Sequence, residues 1–178
     1  MVPDTINVDG VMYKVTKISN QAFKNNKTLK TITIGKYVTV IGNSAFRGCT
    51  SLQKVKKGAN VQKIEDKAFY GCKKLTSVSM SAKLTQIGKY AFYKCTSLKK
   101  ITIPSKVKNI GTKAFYDCKK LKTIIIKTKK LTEKNVGNKA WKGIYAKAAI
   151  TVPNSKAKAY KKLLKSKGAG SKVKIKKL

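Results

Sequence analysis

The stretch Ile87-Gly-Lys-Tyr-Ala-Phe-Tyr-Lys-Cys-Thr-Ser-Leu-Lys-Lys-Ile-Thr-Ile-Pro104 holds one nearly complete unit of a pattern that recurs along the chain. Its head, Ile-Gly-Lys-Tyr-Ala-Phe, has counterparts that begin at Ile18, Ile41, Ile64 and Ile110, each 23 residues from its neighbour. Similarity at a fixed period of this length is typical of repeat architectures, in which each unit stacks on the one before it. The period therefore predicts a solenoid.

Three apolar columns recur in phase with these heads. Phenylalanine fills one column, cysteine fills a second and leucine fills a third. The members are Phe23, Phe46, Phe69, Phe92 and Phe115; Cys49, Cys72, Cys95 and Cys118; and Leu29, Leu52, Leu75, Leu98 and Leu121. One unit cannot bury its own apolar face, whereas stacked units share a continuous core. The Ala-Phe-x-x-Cys-x-x-Leu spacing predicts a helical or 3₁₀ turn, and the apolar residues that alternate after it predict a strand of a parallel sheet.

The repeats also predict how one solenoid domain is organised. We expect an N-terminal capping hairpin over residues 1–17, five regular repeats over 18–126, a degenerate sixth repeat over 127–153 and a C-terminal cap over 154–178. Asp-Gly between two apolar runs predicts the hairpin turn at positions 9 and 10.

The sixth repeat departs from the period by an insertion of three residues. Val136 takes the place of the head isoleucine 26 residues after Ile110, and Trp141 takes the place of the phenylalanine. Beyond it we expect a strand over 149–153, a short basic helix over 155–167 and a closing strand over 173–175. The helix should bury the side that carries Ala159, Leu163 and Leu164.

The pattern resembles the BspA-like leucine-rich repeats, whose signature is roughly Ile-Gly-x-x-Ala-Phe-x-x-Cys-x-x-Leu-x-x-Val-x-Ile-Pro. The resemblance is strong over residues 18–126 and weak over 127–153. It implies an α/β-type leucine-rich repeat solenoid, curved and right-handed, with a parallel β-sheet face and short helical or irregular convex turns. Two departures are Lys57, at an inward apolar position, and Gly58, where proline is common.

The same resemblance carries expectations about function. Members of the family are largely bacterial surface proteins, with others in parasitic protists, and they are associated with adhesion to host or matrix proteins or to other cells. It therefore implies a cell-surface or secreted binding module. It brings no catalytic residues, because the shared positions belong to the core.

The charge of the chain offers an alternative function. Forty-two Lys and Arg residues face six Asp and Glu residues, for a net charge of +36, and Arg47 is the single arginine. Such a balance favours attraction to polyanions such as nucleic acid, teichoic acid or sulfated glycan. Arginine makes bidentate contacts with bases and phosphates, whereas lysine is a flexible point charge. Because lysine occurs in every repeat, the sequence favours generic attraction over recognition of a nucleic-acid sequence.

Residues suited to catalysis or metal binding are sparse. There is no histidine, and Glu65 and Asp66 are the only adjacent acids. General acid–base catalysis usually needs a positioned pair or a tuned histidine, and a zinc site needs closely spaced cysteines. We therefore expect no enzyme, no cofactor and no metal, and buried, reduced thiols. No apolar run approaches the ~20 residues of a membrane helix, and residues 1–4 lack signal-peptide features, so neither segment is expected.

Two surfaces are candidates for binding a protein or glycan partner, which the charge suggests is acidic. The first is the outward side of the strands, represented by Lys54, Lys56, Lys100, Thr102 and Ile125. The second is a convex stripe in which a tyrosine follows the phenylalanine of three successive repeats, at Tyr70, Tyr93 and Tyr116. Either could instead be an ordinary soluble surface, since Thr and Ser suit exposed strands and a tyrosine column can simply support the core.

Overall fold

A computed structural model describes the backbone of residues 1–178 and every side chain except that of Lys57. The expectation that Lys57 points inward therefore lies outside the described residues. The strands are β1 Thr5–Val8, β2 Val11–Lys14, β3 Lys17–Ile18, β4 Thr31–Ile34, β5 Val40–Ile41, β6 Lys54–Lys57, β7 Lys63–Ile64, β8 Ser77–Val78, β9 Gln86–Ile87, β10 Lys100–Ile103, β11 Asn109–Ile110, β12 Thr123–Ile126, β13 Ala149–Val152 and β14 Lys174–Lys177. A 3₁₀ turn at Asn154–Lys156 leads into helix α1, Ala157–Ser166.

Parallel pairing at the repeat period builds a solenoid whose wide face has seven strands, one from each of six repeats and a last one from the C-terminal cap. This architecture confirms the predicted leucine-rich repeat fold. We call the successive turns coils 1 to 6, with heads at Ile18, Ile41, Ile64, Ile87, Ile110 and Val136. The wide face comprises the sheets β4-β6-β8 and β10-β12-β13-β14, and a narrow face comprises β11-β9-β7-β5-β3. In-register parallel strands of this kind keep each side-chain column continuous from coil to coil.

The convex side consists of irregular turns whose backbone N–H groups donate hydrogen bonds to the next coil. The N–H of Gln21 donates to the carbonyl of Asn43 at 2.9 Å, and the N–H of Phe23 donates to the carbonyl of Ala45 at 2.8 Å. The residue at the position of Gln21 has a positive φ in all six coils, between 53° and 60°, although none of the six is glycine. Left-handed residues turn successive N–H groups toward the neighbouring coil, which is why no regular helix forms at this place.

A stacked aromatic column runs through the core. Centroids of neighbouring phenylalanine rings lie 5.1 to 5.3 Å apart, and the Trp141 ring continues the stack at 4.7 Å from Phe115. From Phe46 to Trp141 these rings are fully buried, whereas Phe23 at the start of the column is half-buried. Among the described side chains, the Trp141 indole N–H is a buried polar group without a hydrogen-bond partner.

The cysteine column adds a second contact between coils. Each thiol donates to the carbonyl of the phenylalanine in the preceding coil, for example Cys95 Sγ to Phe69 O at 3.1 Å. All four cysteines are buried and free, as expected. Burial raises the pKa of every one of these thiols, and the neighbouring Cys72 and Cys118 add to the effect at Cys95.

The two ends of the stack are built differently. At the N-terminal end, β1 and β2 form the expected hairpin around Asp9-Gly10. At the C-terminal end, α1 buries Tyr160, Leu163 and Leu164. The expectation that Ala159 faces the core is wrong, because Ala159 is exposed and the neighbouring tyrosine packs inward instead. Burying the Tyr160 ring removes more apolar surface from water than burying the Ala159 methyl group would, and the Tyr160 hydroxyl also finds hydrogen-bond partners.

Tyr160 fastens the inserted segment before the sixth coil. Its hydroxyl donates to the carbonyl of Thr128 and accepts from the N–H of Leu131, both at 3.0 Å. Burial raises the pKa of this phenol. The C-terminal helix therefore fixes the irregular segment that the period alone did not explain.

Candidate interaction surfaces

The outward side of the wide face, here called the strand face, presents an ordered array of side chains. Register places Lys54 between Thr31 and Ser77, and Lys56 beside Thr33. The lysines of the predicted surface, Lys54, Lys56 and Lys100, are all exposed. Backbone pairing within each sheet sets the spacing of these side chains from strand to strand.

Ile125 is half-buried on this face. Its register neighbours are Thr102 on one side and Thr151 on the other, and Thr102 is also half-buried. Strands β10 and β13 therefore flank Ile125 directly on its two sides. The result is an isoleucine flanked by two threonines, which gives the basic face a small apolar contact point.

A break in the wide face divides the predicted surface. Strands β8 and β10 occupy adjacent coils but belong to different sheets, so that Lys54 and Lys56 lie in one sheet and Lys100, Thr102 and Ile125 lie in the other. A depression of about 390 Å³ lies at this junction. It is lined by Ser77, Val78, Ser79, Met80, Lys100, Ile101 and Thr102.

Sequence reasoning did not single out the junction, although a signal for it exists. The strand of coil 3 is Ser77-Val-Ser-Met80, where coils 1, 4 and 5 have β-branched residues at the inward positions. β-Branched residues favour strands, and methionine does so less. On the wide face, only Ser77 and Val78 of this coil form a strand, and Val78 is half-buried. The small serines and the shorter strand together leave the depression.

The tyrosine stripe forms a second ordered surface on the convex side. The rings of Tyr70 and Tyr93 stack at 4.8 Å between centroids, and those of Tyr93 and Tyr116 stack at 5.1 Å. The Arg47 guanidinium lies 5.4 Å from the Tyr70 centroid and covers that end of the stack. Each of the three tyrosines is half-buried. Since the ring faces cover one another, a partner would meet ring edges.

The carboxylates of the repeat heads act as backbone acceptors. Glu65 Oε2 accepts the N–H of Asn43 at 2.9 Å, and its other oxygen pairs with Lys17 Nζ at 3.8 Å. Asp66 Oδ1 accepts the N–H of Lys89 at 2.7 Å. The adjacent acids of the chain are therefore used to join coils. Among the described residues, no three groups of the His, Cys, Asp or Glu type gather as metal ligands would.

Glu133 holds the inserted segment to the C-terminal cap. It accepts the hydroxyl of Ser166 at 2.7 Å and pairs with Lys167 Nζ at 2.9 Å. These two partners lower the pKa of the Glu133 carboxyl. In the part of the chain that the structure describes, no helix has the length and apolarity needed to cross a bilayer.

An exposed apolar surface lies on the hairpin, and sequence reasoning missed it. Pairing of β1 with β2 puts Ile6, Val8, Val11 and Tyr13 on one side, each between 46% and 52% exposed. The alternation of the two strands contained this signal, but only the structure shows that these four side chains stay exposed.

Comparison with solved structures supports the fold. A leucine-rich repeat protein of T. pallidum superposes with a TM-score of 0.68 at 24% identity, covering 94% of this chain and 83% of that one. A leucine-rich repeat protein of Bacteroides ovatus gives 0.64 at 21% identity, covering 99% and 59%. The pneumococcal vaccine antigen PcpA gives 0.68 at 22% identity, covering 98% and 48%. The chain thus spans about half of the last two proteins.

Comparison of sequences identifies the family. No curated protein matches the chain significantly. The profile of the BspA type leucine-rich repeat region matches residues 16–147 in six copies, the same number as the coils. This match covers most of the chain, and the chain therefore belongs to the BspA type leucine-rich repeat family.

Proposed function

We propose that this chain is a non-enzymatic module that binds an acidic protein at a cell surface or in the extracellular matrix, through its strand face. The family and the solenoid fold are typical of protein-binding modules. One solved relative is a pneumococcal vaccine antigen, which supports a location at the cell surface.

The observation that carries the proposal is the composition of the strand face. It combines exposed lysines at positions 54, 56 and 100 with small hydroxyl side chains, a half-buried Ile125 and the depression at the β8–β10 junction. Solenoids present such extended faces to partners. Complementary charge steers an acidic partner onto the face, while the depression and the isoleucine offer places for apolar groups.

A charge-reversal variant tests the site. The combined substitutions Lys54→Glu, Lys56→Glu and Lys100→Glu should weaken binding to an acidic partner by orders of magnitude, because repulsion replaces attraction at three points of one face. Single changes should each do little, since exposed charge pairs are worth about 0–1 kcal/mol. The partner is captured from extracellular matrix and from envelope fractions at low and high salt, and its affinity for each variant is then measured.

A matched control separates this site from generic electrostatics. Lys63→Glu, Lys106→Glu and Lys108→Glu change the net charge equally, at exposed positions away from the strand face. The proposal requires the control to bind nearly as the parent does. If both triple variants lose affinity equally, the alternative function holds: attraction of polyanions by lysines spread over the whole molecule. If the strand-face variant binds as the parent does, the stripe of Tyr70, Tyr93 and Tyr116 becomes the candidate site.

A further inference from the structure

One lateral edge of the solenoid is far richer in lysine than the chain as a whole. It is the edge where each convex turn passes into the wide face, and it consists of the four residues that follow the cysteine position in coils 1 to 5. These segments are 27–30, 50–53, 73–76, 96–99 and 119–122. The third residue of each segment is the core leucine, which leaves fifteen other positions along the edge.

We call these fifteen positions the lysine ridge, because eight of them are lysine. The lysines are Lys27, Lys30, Lys73, Lys74, Lys99, Lys119, Lys120 and Lys122. All eight are exposed. The other seven positions are Thr, Ser or Gln, so that the ridge contains no carboxylate, no arginine and no aromatic residue. Lysine is therefore less evenly placed around the coil than its spread along the chain indicates.

The acids of the coils lie elsewhere. Glu65 and Asp66 belong to the head of coil 3, on the far side of the convex turn, where both accept backbone N–H groups. Asp117 is nearest along the chain, two residues before Lys119, and its carboxylate packs against Gly143 of the next coil. The positive potential of the ridge is thus not offset by carboxylates within it.

The backbone beneath the ridge is rigid and regular. The last residue of each segment joins the next coil: Gln53 donates to Lys30 O at 2.7 Å, Thr76 to Gln53 O at 2.9 Å and Lys99 to Thr76 O at 3.3 Å. The series continues from Lys122 to Lys99 O at 3.0 Å. Below it, Leu52, Leu75, Leu98 and Leu121 are fully buried anchors. Coils repeat about every 5 Å, so five coils give a ridge roughly 20 Å long.

Lysine and threonine alternate from coil to coil at the first position of the ridge segments. The first position carries lysine in coils 1, 3 and 5, at Lys27, Lys73 and Lys119, and threonine in coils 2 and 4, at Thr50 and Thr96. The last position carries lysine in coils 1, 4 and 5, at Lys30, Lys99 and Lys122. At the far end, Lys122 Nζ lies 5.1 Å from the Tyr145 ring centroid, where the ridge stops. A linear ligand along this edge would meet lysine or hydroxyl donors at every coil.

We infer that the lysine ridge binds a linear polymer of phosphate groups that lies along the solenoid axis. A row of compact ammonium groups interspersed with hydroxyls suits phosphate oxygens, which accept hydrogen bonds from both. Recognition of nucleobases would call for aromatic platforms or arginine, and the ridge has neither. The inference does not rest on the proposed function, because Lys54, Lys56 and Lys100 of the strand face are outside the ridge.

The probes are inorganic polyphosphate and a polyol phosphate polymer, because both present a row of phosphate groups but on different backbones. Binding is measured over a range of salt concentrations for the parent and for two triple variants. The ridge variant combines Lys73→Gln, Lys99→Gln and Lys119→Gln. The control variant combines Lys63→Gln, Lys106→Gln and Lys108→Gln. The ridge variant should bind at least one probe about tenfold more weakly or worse. Its slope of log affinity against log salt should be shallower by about 2, as three lost contacts predict for a single-stranded polymer. The control should change affinity by no more than about threefold, through net charge alone.

Chain length and ligand class decide the outcome. Affinity should rise with polyphosphate length until the polymer spans the ridge and should rise only slowly thereafter. Equal loss in the ridge and control variants would overturn the inference. So would ridge-dependent binding of single-stranded DNA or heparin that exceeds that of both phosphate polymers at equal charge. The phosphate polymer whose binding depends more strongly on the ridge lysines is the ligand class that the ridge recognises, either inorganic polyphosphate or a polyol phosphate.

Discussion

Two neighbouring columns of aromatic rings differ in burial although their geometry is nearly the same. Phenylalanine rings stack at 5.1 to 5.3 Å with interplanar angles of 2° to 10°, and the tyrosine rings beside them stack at 4.8 and 5.1 Å with angles of 13°. The first column is fully buried from Phe46 onward, whereas Tyr70, Tyr93 and Tyr116 are half-buried. The repeat period therefore sets the stacking distance, and the direction of the side chain from the backbone sets how much water is excluded.

The largest effect on stability is expected in the buried column. Phe69→Ala should lower the free energy of unfolding by about 3–5 kcal/mol, because it leaves a cavity between two stacked rings that the rigid coils cannot fill. Chemical denaturation of the parent and the variant measures the difference.

The half-buried Phe23 provides the matched comparison within the same column. Phe23 has one stacked neighbour instead of two, and Phe23→Ala should therefore cost clearly less than Phe69→Ala. A cost below about 1 kcal/mol for Phe69→Ala would mean that the phenylalanine column is not core.

The cysteine column gives the next effect, and it depends on pH. Burial keeps the pKa of Cys95 well above its usual range, with further contributions from Cys72 and Cys118. In the unfolded chain the thiol ionises near pH 8.5, so its contribution to stability is present below that pH and is lost as pH rises toward the folded pKa. As pH rises above 8.5, the Cys95 thiol should therefore lower the free energy of unfolding with a limiting slope of about 1.4 kcal/mol per pH unit.

Replacing the thiol isolates this contribution. Cys95→Ala should reduce the slope of unfolding free energy against pH by that amount, while Phe69→Ala, which keeps all four thiols, should retain the slope of the parent. Denaturation series at several pH values supply both slopes. Identical slopes in Cys95→Ala and the parent would show that Cys95 is not protonated and buried as described.

Much of the fold could be predicted because inward positions repeat. Phe, Cys and Leu recur at fixed positions of the repeat, and each packs against its counterpart in the neighbouring coil. A stack with continuous side-chain columns therefore follows from the sequence. Trp141 could be assigned to the phenylalanine column by its Ala-Trp context alone. Tyr160 could not be foreseen in the core, because its hydroxyl partners, Thr128 and Leu131, lie about thirty residues away in a segment without a repeat.

The candidate surfaces were less predictable for the same physical reason. Outward residues have no packing partner that enforces repetition, and their columns mix Lys, Thr, Ser and Ile. Alternation along a strand places Lys54 and Lys56 outside, but the break between β8 and β10 depends on how two strands pair. The lysine ridge likewise becomes visible only when the residues after each cysteine are aligned around the coil.

The smallest effect is expected in the tyrosine column. Tyr93 stacks on both Tyr70 and Tyr116 but is half-buried, so Tyr93→Ala should lower the free energy of unfolding by roughly 1 kcal/mol, within the range for aromatic pairs at partly exposed sites. Tyr93→Phe keeps both ring contacts and should change stability very little. Chemical denaturation of both variants beside Phe69→Ala makes the comparison direct. If Tyr93→Ala costs as much as Phe69→Ala, the tyrosine stripe belongs to the core and is not an available surface; a small cost leaves its ring edges free to contact a partner.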